Sequence, residues 1–138
     1  YMPEIFMRLF GRSYPSYLGS VAHKKPILEM YYFSICYENV RDIPGYITEK
    51  IFDSFFSGCV PVYWGANNIT DYVPADCFVD GREFKSYNDL YTYMVTTVRT
   101  GYSSYLKNIE KYLHSAQSSC FRSDCFAETI TEIVFGNE

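Results

Sequence analysis

Residues 32–65 read YFSICYENVRDIPGYITEKIFDSFFSGCVPVYWG and contain the signals for a strand, a helix and a second strand, in that order. The first six of these residues are rich in aromatic and β-branched side chains, which favours a strand. From Thr48 the apolar side chains recur with helical spacing, and Gly58 is a typical helix stop. Val60–Trp64 then predicts the next strand, with Pro61 near its start or on a sheet edge, because proline cannot donate to a ladder.

The flanking sequence predicts further elements of both kinds. The shorter ones are a strand at residues 5–10, a helix begun by Pro26 at residues 27–31, a helical turn at residues 70–72 and a strand at residues 77–79. The longer ones are helices at residues 86–98, 103–114 and 124–134. Ser86 and Asp124 are suitable N-caps for the first and the third of these helices.

The alternation of strands and helices predicts an α/β fold, a Rossmann-like parallel sheet flanked by helices. Residues 1–138 are expected to form one domain, because this length is too short for two of full size. Open sheets of this kind bind ligands at the carboxyl ends of their strands. We therefore expect one ligand-facing edge that carries Glu38, Asn39, the helix start at Thr48 and Gly65.

Composition excludes several classes of protein. Hydrophobic residues make up 48% of the chain and charged residues 20%, which is typical of a folded globular domain. The net charge of −4 argues against nonspecific binding of nucleic acid, which needs a basic surface. No apolar run approaches the roughly 18 residues that span a bilayer, and no signal peptide opens the chain. Because the first residue is Tyr1 rather than Met, we expect a fragment of a longer protein.

The five cysteines do not have the spacing of a disulfide framework. Cys36 and Cys59 lie in apolar runs and are expected to be buried thiols. Cys120 and Cys125 have only His114 nearby, which is a weak basis for a zinc site, and no metal is expected. Reduced thiols favour a cytoplasmic location.

The candidate binding site is the segment Tyr46–Lys50, which opens the predicted helix. Free backbone N–H groups and the ammonium of Lys50 form a good anion site, above all for phosphate. The Glu49 carboxylate is a poor phosphate ligand but a good acceptor for sugar hydroxyls, and Tyr46 adds a phenol. This combination predicts a nucleoside diphosphate site with a ribose contact. The alternative is an ordinary capped helix with a solvated lysine.

Other polar residues remain open candidates. Glu38 and Asn39 either bond the ligand or form a polar turn with a solvated carboxylate. His23 and His114 are expected on the surface rather than as a catalytic pair. Arg8 and Arg12 are candidates for a second cation.

Several ordered motifs resemble the α-1,3-fucosyltransferases of glycosyltransferase family 10. They are Glu38-Asn39 after an aromatic-rich strand, YITEK at residues 46–50, PVYWG at residues 61–65 and DYVP at residues 71–74, followed by Phe78-Val79. The resemblance extends from about residue 10 to about residue 134. It implies the C-terminal, donor-binding half of a GT-B glycosyltransferase, with the N-terminal acceptor domain absent from this chain.

The resemblance also implies a reaction and a set of roles. The reaction is transfer of L-fucose from GDP-fucose to a sugar hydroxyl with inversion, in an α-1,3 linkage on a GlcNAc-containing glycan. Lys50 and Tyr46 are implied to contact the diphosphate and Glu49 the ribose, with Lys50 and Glu49 as catalytic residues. Glu38, Asn39 and Thr48 complete the implied donor pocket. The general base is implied to lie outside this chain, a further arginine lies upstream in the family with neither Arg8 nor Arg12 assigned to it, and no cofactor is expected beyond the donor.

The expected partners are GDP-fucose and an oligosaccharide acceptor, with no nucleic acid. The expected location is the cytoplasm, with peripheral membrane association through segments outside this chain. The Golgi lumen is the alternative. Two other functions stay open from the residues alone: a nucleotide-sugar-binding module without catalysis, and a purely structural or interaction domain. Because the acceptor half is absent, we expect the isolated chain to bind donor weakly and to transfer little fucose.

Overall fold

A three-stranded parallel sheet lies at the centre of the computed structural model, which describes residues 19–136. The strands are β1 (Phe33–Tyr37), β2 (Val60–Trp64) and β3 (Val79–Asp80), in the spatial order β1-β2-β3. Phe33 is in register with Val60, and Val62 is in register with Val79. The predicted parallel sheet is therefore confirmed. The strand expected at residues 5–10, together with Arg8 and Arg12, lies outside the described residues.

Helices cover the sheet and connect its strands. They are α1 (Lys25–Leu28), α2 (Glu49–Phe56), α3 (Tyr87–Thr100), α4 (Tyr102–Leu113) and α5 (Ser123–Phe135). Short 3₁₀ helices lie at Ile69–Asp71, Ala75–Cys77, Gly81–Glu83 and Ala116–Phe121. The predicted helices and the predicted turn at residues 70–72 are thus present, with bounds shifted by one to three residues.

Helix α2 connects β1 to β2 and carries the candidate site at its first turn. Ile51 and Phe55 are buried against the sheet, as the helical spacing predicts. The helix ends in a Schellman motif, in which the N–H groups of Gly58 and Cys59 donate to carbonyls of the last turn. Gly58 has φ +68°, a left-handed conformation that glycine adopts without strain. The predicted stop is confirmed.

Two local predictions need correction, and the N-cap of α2 is confirmed at Thr48. The third strand begins at Val79 rather than at residue 77, because Cys77 belongs to the 3₁₀ helix that follows Pro74. The N-cap of α5 is Arg122 rather than Asp124, which lies in the first turn and accepts a hydrogen bond from the Cys125 N–H. Thr48 is the N-cap residue of α2, but its hydroxyl makes no capping bond to the helix.

The central strand explains where the core lies. Val60, Pro61, Val62 and Tyr63 are all fully buried, because β2 has a strand on each side and packs on both faces. Pro61 is the second residue of this central strand, so of the two predicted positions it occupies the one near the strand start. Side chains from α2, α3 and α4 complete the same core.

The cap of α3 provides a first test of the fold. The Ser86 hydroxyl accepts a hydrogen bond from the Asp89 N–H at 3.2 Å, as an N-cap should. Ser86→Ala is expected to lower the free energy of unfolding by about 1 kcal/mol, measured by urea denaturation. Ser103→Ala, at an exposed serine in α4, is the control and should change it by less than about 0.5 kcal/mol. Equal effects of the two substitutions would contradict the capping role.

Candidate functional site

The carboxyl ends of β1 and β2 meet at one edge of the sheet. The Glu38 N–H donates to the Trp64 carbonyl at 2.8 Å, and the Asp42 N–H donates to the Gly65 carbonyl at 3.0 Å. These bonds hold the loop after β1 against the loop after β2. The loop that leads into α2 therefore starts from a fixed position on the ligand-facing edge.

A buried carboxylate joins this edge to the first turn of α2. The Glu38 side chain is 0% exposed and accepts hydrogen bonds from the Thr48 N–H at 2.9 Å and the Thr48 hydroxyl at 2.8 Å. Its Oε2 also lies 2.9 Å from the Lys50 ammonium, which is 3.2 Å from the Thr48 hydroxyl. We call Glu38, Thr48 and Lys50 the carboxylate cluster. The structure thus brings together three of the predicted site residues.

Lys50 is held in the charged form within this cluster. The hydrogen bond from its ammonium to Glu38 raises the pKa of Lys50 above its ordinary value, while partial burial acts in the opposite direction. The negative charges of Glu38 and Glu49 also raise this pKa. The Lys50 side chain remains 27% exposed and lines a cavity of about 340 Å³ beside Ile35 and Cys36. Lys50 therefore combines a charged, hydrogen-bonded ammonium with a side chain that is partly open to solvent.

The loop at Tyr46 is fixed by contacts with the segment after β2. The buried Tyr63 hydroxyl donates to the Tyr46 carbonyl at 3.4 Å and accepts from the Ala66 N–H at 3.0 Å. The Gly45 N–H donates to Asn68 Oδ1 at 2.8 Å, and Gly45 has φ +72°. The loop is consequently anchored on both sides of the turn that precedes α2.

Glu49 points to a different side of α2 from Lys50. Its side chain is 63% exposed and lies 3.3 Å from the Lys24 ammonium, which is also 2.9 Å from Asp53. A hydrogen bond from its own backbone N–H, followed by the Lys24 contact, lowers the pKa of Glu49. Glu49 also lines an aromatic-walled cleft of about 520 Å³ that includes Phe52 and Thr48. The structure therefore places Glu49 and Lys50 beside two separate cavities.

The remaining predicted candidates lie on the surface. Asn39 is exposed, and among residues 19–136 its side chain has no hydrogen-bond partner. His23 and His114 are both exposed, as expected. Lys24, which follows His23 and is also exposed, bridges two carboxylates of α2.

The thiols near the site are free, and residues 19–136 hold no metal-binding cluster. All five cysteines are free, and Cys36 and Cys59 are buried, as predicted. Burial raises the pKa of the Cys36 thiol, which contacts the Ser54 hydroxyl at 3.0 Å. Within residues 19–136, no group of three His, Cys, Asp or Glu side chains has the arrangement of a metal site. In the same part of the chain, no helix combines the length and the apolar character that crossing a membrane requires.

Comparison with known proteins shows the family of this chain. The sequence model of the glycosyltransferase family 10 (fucosyltransferase) C-terminal domain matches residues 3–131, nearly the whole chain. The chain belongs to this family. The family-10 domain is 35% identical over 85 residues to the alpha-(1,3)-fucosyltransferase FucT of Helicobacter pylori, an alignment that covers 61% of the chain and 18% of that protein.

Solved structures confirm the fold of this family-10 domain. A crystal structure of an alpha1,3-fucosyltransferase with GDP-fucose aligns with a TM-score of 0.57 at 30% identity, over 77% of this chain and 32% of the other. A crystal structure with GDP aligns with a TM-score of 0.56 at 33% identity, over 70% of this chain and 28% of the other. The expected C-terminal part of a GT-B fold is thus confirmed. The chain spans less than a third of the length of these relatives.

Sequence reasoning missed several side chains of this family-10 domain that shape the ligand-facing edge. The Arg41 guanidinium lies 5.1 Å from the centre of the Trp64 ring, a cation–π contact between the two loops. Tyr63 was expected only as a strand residue, yet its hydroxyl anchors the loop before α2. Arg41 lies in the loop between Asn39 and Tyr46, close in sequence to the predicted anion site. Its positive charge could have identified it as a candidate. No sequence motif indicates this role of Tyr63, because its hydroxyl bonds to backbone groups, of Ala66 and of Tyr46, and the second of these is 17 residues away.

Proposed function

We propose that this chain is the donor-binding domain of a fucosyltransferase that transfers L-fucose from GDP-fucose to a sugar hydroxyl. The observation that carries the proposal is the YITEK segment, which opens α2 at the carboxyl edge of a parallel sheet with the Lys50 ammonium oriented and charged. Relatives described as alpha-(1,3)-fucosyltransferases, one of them solved with GDP-fucose, support the substrate.

The proposed roles follow the charges of the site. Lys50 contacts the diphosphate with Tyr46, and Glu49 contacts the ribose hydroxyls; Lys50 and Glu49 are the proposed catalytic residues of this chain. Because Glu49 and Lys50 lie beside separate cavities, the proposed donor spans the first turn of α2, with Thr48 between the two residues and Asn39 at the sheet edge. As the bond from the anomeric carbon to the β-phosphate oxygen breaks, negative charge grows on GDP. A fixed ammonium at the helix start stabilises that charge without reorganising.

The acceptor side of the reaction is proposed to lie outside this chain. Residues 1–138 bind the donor, and a separate N-terminal domain binds an oligosaccharide acceptor and supplies the general base. That base takes the proton of the attacking hydroxyl as the hydroxyl oxygen bonds to the anomeric carbon from the face opposite GDP, which inverts the configuration. An α-1,3 linkage to a GlcNAc-containing glycan, including glycans of glycoproteins, is the proposed product.

We propose that the whole protein works in the cytoplasm at a membrane surface, which it reaches through segments outside this chain. The five free thiols support a reducing compartment. The Golgi lumen is the alternative location. Fractionation of cells that express the full-length protein separates the two.

Selective stabilisation by GDP is the direct test of the proposed function. A ligand that binds only the folded chain stabilises it by about 1.4 kcal/mol at ten times Kd, which raises Tm by several degrees. We expect millimolar GDP to produce this rise, and UDP and ADP at the same concentration to produce much smaller ones. Equal shifts with all three nucleotides would contradict a GDP site, and no shift with any of them would favour a structural domain.

A further inference from the structure

We propose that Glu38 is a positioning residue: it holds the Lys50 ammonium and the first turn of α2 in place for the donor diphosphate, and it does not itself touch the ligand. This inference rests on the proposed function. It replaces the direct ligand contact that the sequence predicts for Glu38.

Burial of the carboxylate is the first observation. The Glu38 side chain is 0% exposed, so a ligand at the sheet edge has no surface of this group to contact. Lys50, its partner at 2.9 Å, keeps 27% of its side chain exposed. Of the two charges in this pair, only the ammonium can reach a ligand.

The acceptor capacity of the carboxylate is the second observation. Oε1 lies 2.9 Å from the Thr48 N–H and 3.0 Å from the Thr48 hydroxyl. Oε2 lies 2.8 Å from that hydroxyl and 2.9 Å from the Lys50 ammonium. The Thr48 hydroxyl has one proton to share between the two oxygens, so three donors occupy a carboxylate that accepts about four hydrogen bonds, and burial closes the remaining position to a ligand hydroxyl. One carboxylate thus fixes a backbone group, a hydroxyl and the ammonium of the same helical turn.

The surroundings of Glu38 are the third observation. Gly65 is buried, and a methyl group at its Cα would overlap the Glu38 Cγ and the Tyr63 hydroxyl. The absence of a side chain at Gly65 therefore leaves the space that the Glu38 stem fills. The segment after β2 holds Glu38 on one side while α2 holds it on the other.

The direction in which Glu38→Gln changes the affinity for GDP distinguishes a positioning role of Glu38 from simple neutralisation of the Lys50 charge. A carboxylate beside an anion site lowers the local positive potential, so if neutralisation were its only effect, Glu38→Gln would tighten GDP binding. If Glu38 positions Lys50, the same substitution releases the ammonium and turns an amide N–H group toward existing donors. GDP binding would then weaken.

The experiment is a titration of the chain with GDP and with guanosine, which lacks the diphosphate. Glu38→Gln is expected to weaken GDP binding at least about tenfold, because a charge-assisted hydrogen bond that orients Lys50 is lost, and to leave guanosine binding unchanged. Glu29→Gln, at an exposed carboxylate that pairs with Lys25, is the matched control and should change neither affinity. Unchanged or tighter GDP binding by Glu38→Gln would overturn the inference.

A double-mutant cycle shows whether Glu38 acts through Lys50. In a Lys50→Ala background the further loss of GDP affinity caused by Glu38→Gln should nearly vanish, because the group that Glu38 positions has gone. Losses that add in the double variant would mean that Glu38 contacts the ligand independently, and the inference would fall.

Two measurements guard against a misfolded variant. Glu38→Asp keeps the charge but shortens the side chain by one methylene group, which draws the carboxylate away from Lys50, and it should also weaken GDP binding selectively. In the unsubstituted chain, the Thr48 amide should stay protected from hydrogen exchange when GDP is added; loss of protection would show that Glu38 swings to the ligand. If the unsubstituted chain does not bind GDP, the proposed function fails together with this inference. If it binds GDP and only the Glu38 results disagree, this inference alone fails.

Discussion

Lys50→Ala is expected to weaken GDP binding about 10- to 100-fold and to leave guanosine binding nearly unchanged. A hydrogen bond from a charged donor contributes about 1.5–3 kcal/mol, and each 1.4 kcal/mol is about a factor of ten in Kd. Guanosine has no phosphate, so it does not use the ammonium that the carboxylate cluster holds at the start of α2. Isothermal titration with the two ligands measures the difference.

The substitution also affects the fold, and the experiment must allow for this. Removing Lys50 leaves the Glu38 carboxylate buried and without its cation, which in a fully buried pair costs about 3–5 kcal/mol. Because the Lys50 side chain is partly exposed, water can enter the vacated space and the cost should be smaller. Circular dichroism at the titration temperature establishes that the variant is folded.

Lys25→Ala is the matched control for the charge. Lys25 is an exposed lysine in α1, 3.8 Å from Glu29, and has no place in the carboxylate cluster. Its removal changes the net charge of the chain by the same amount as Lys50→Ala. If both variants lose GDP affinity equally, the effect is a general one of charge and Lys50 has no diphosphate contact. An equal loss of GDP and guanosine affinity in Lys50→Ala would contradict the assigned role as well.

Local patterns predicted the elements of this fold well. The helical spacing that begins at Thr48 and the glycine at residue 58 bound α2 correctly, because both signals act within a few residues. The unbroken apolar run of β2 is typical of a strand covered on both faces, and the structure has it at the sheet centre. The cap of α5 was missed because neighbouring polar residues there compete for the same position.

The arrangement inside the site was harder to predict. Because Glu49 and Lys50 are neighbours in the sequence, the sequence predicts one site for both, but successive side chains of a helix point about 100° apart. In the structure, Glu49 accordingly forms an ion pair with Lys24, and Lys50 forms one with Glu38. The Glu38 contact joins residues 12 apart, so no periodic pattern reveals it. Prediction from the sequence found the polar residues of this edge but not which of them bind each other.

Ile51→Ala is expected to lower the free energy of unfolding by about 2–5 kcal/mol, the largest effect on stability that we predict. Ile51 is 0% exposed and packs in the core beneath the sheet, directly after Lys50 in the chain. Alanine would lose the buried methyl and methylene groups and leave a cavity that the close-packed core cannot fill. Urea denaturation followed by circular dichroism measures this loss.

Phe56→Ala is the control on the same helix, because Phe56 is 61% exposed although its side chain is larger. Its removal should cost less than about 1 kcal/mol, since little apolar surface returns to water. Similar losses in the two variants would mean that α2 is not seated on the sheet through Ile51. In the structure, burial of Ile51 sets which face of α2 meets the sheet, and this orientation turns Lys50 toward Glu38 and Glu49 toward Lys24. Similar losses would therefore also contradict this explanation of the two ion pairs.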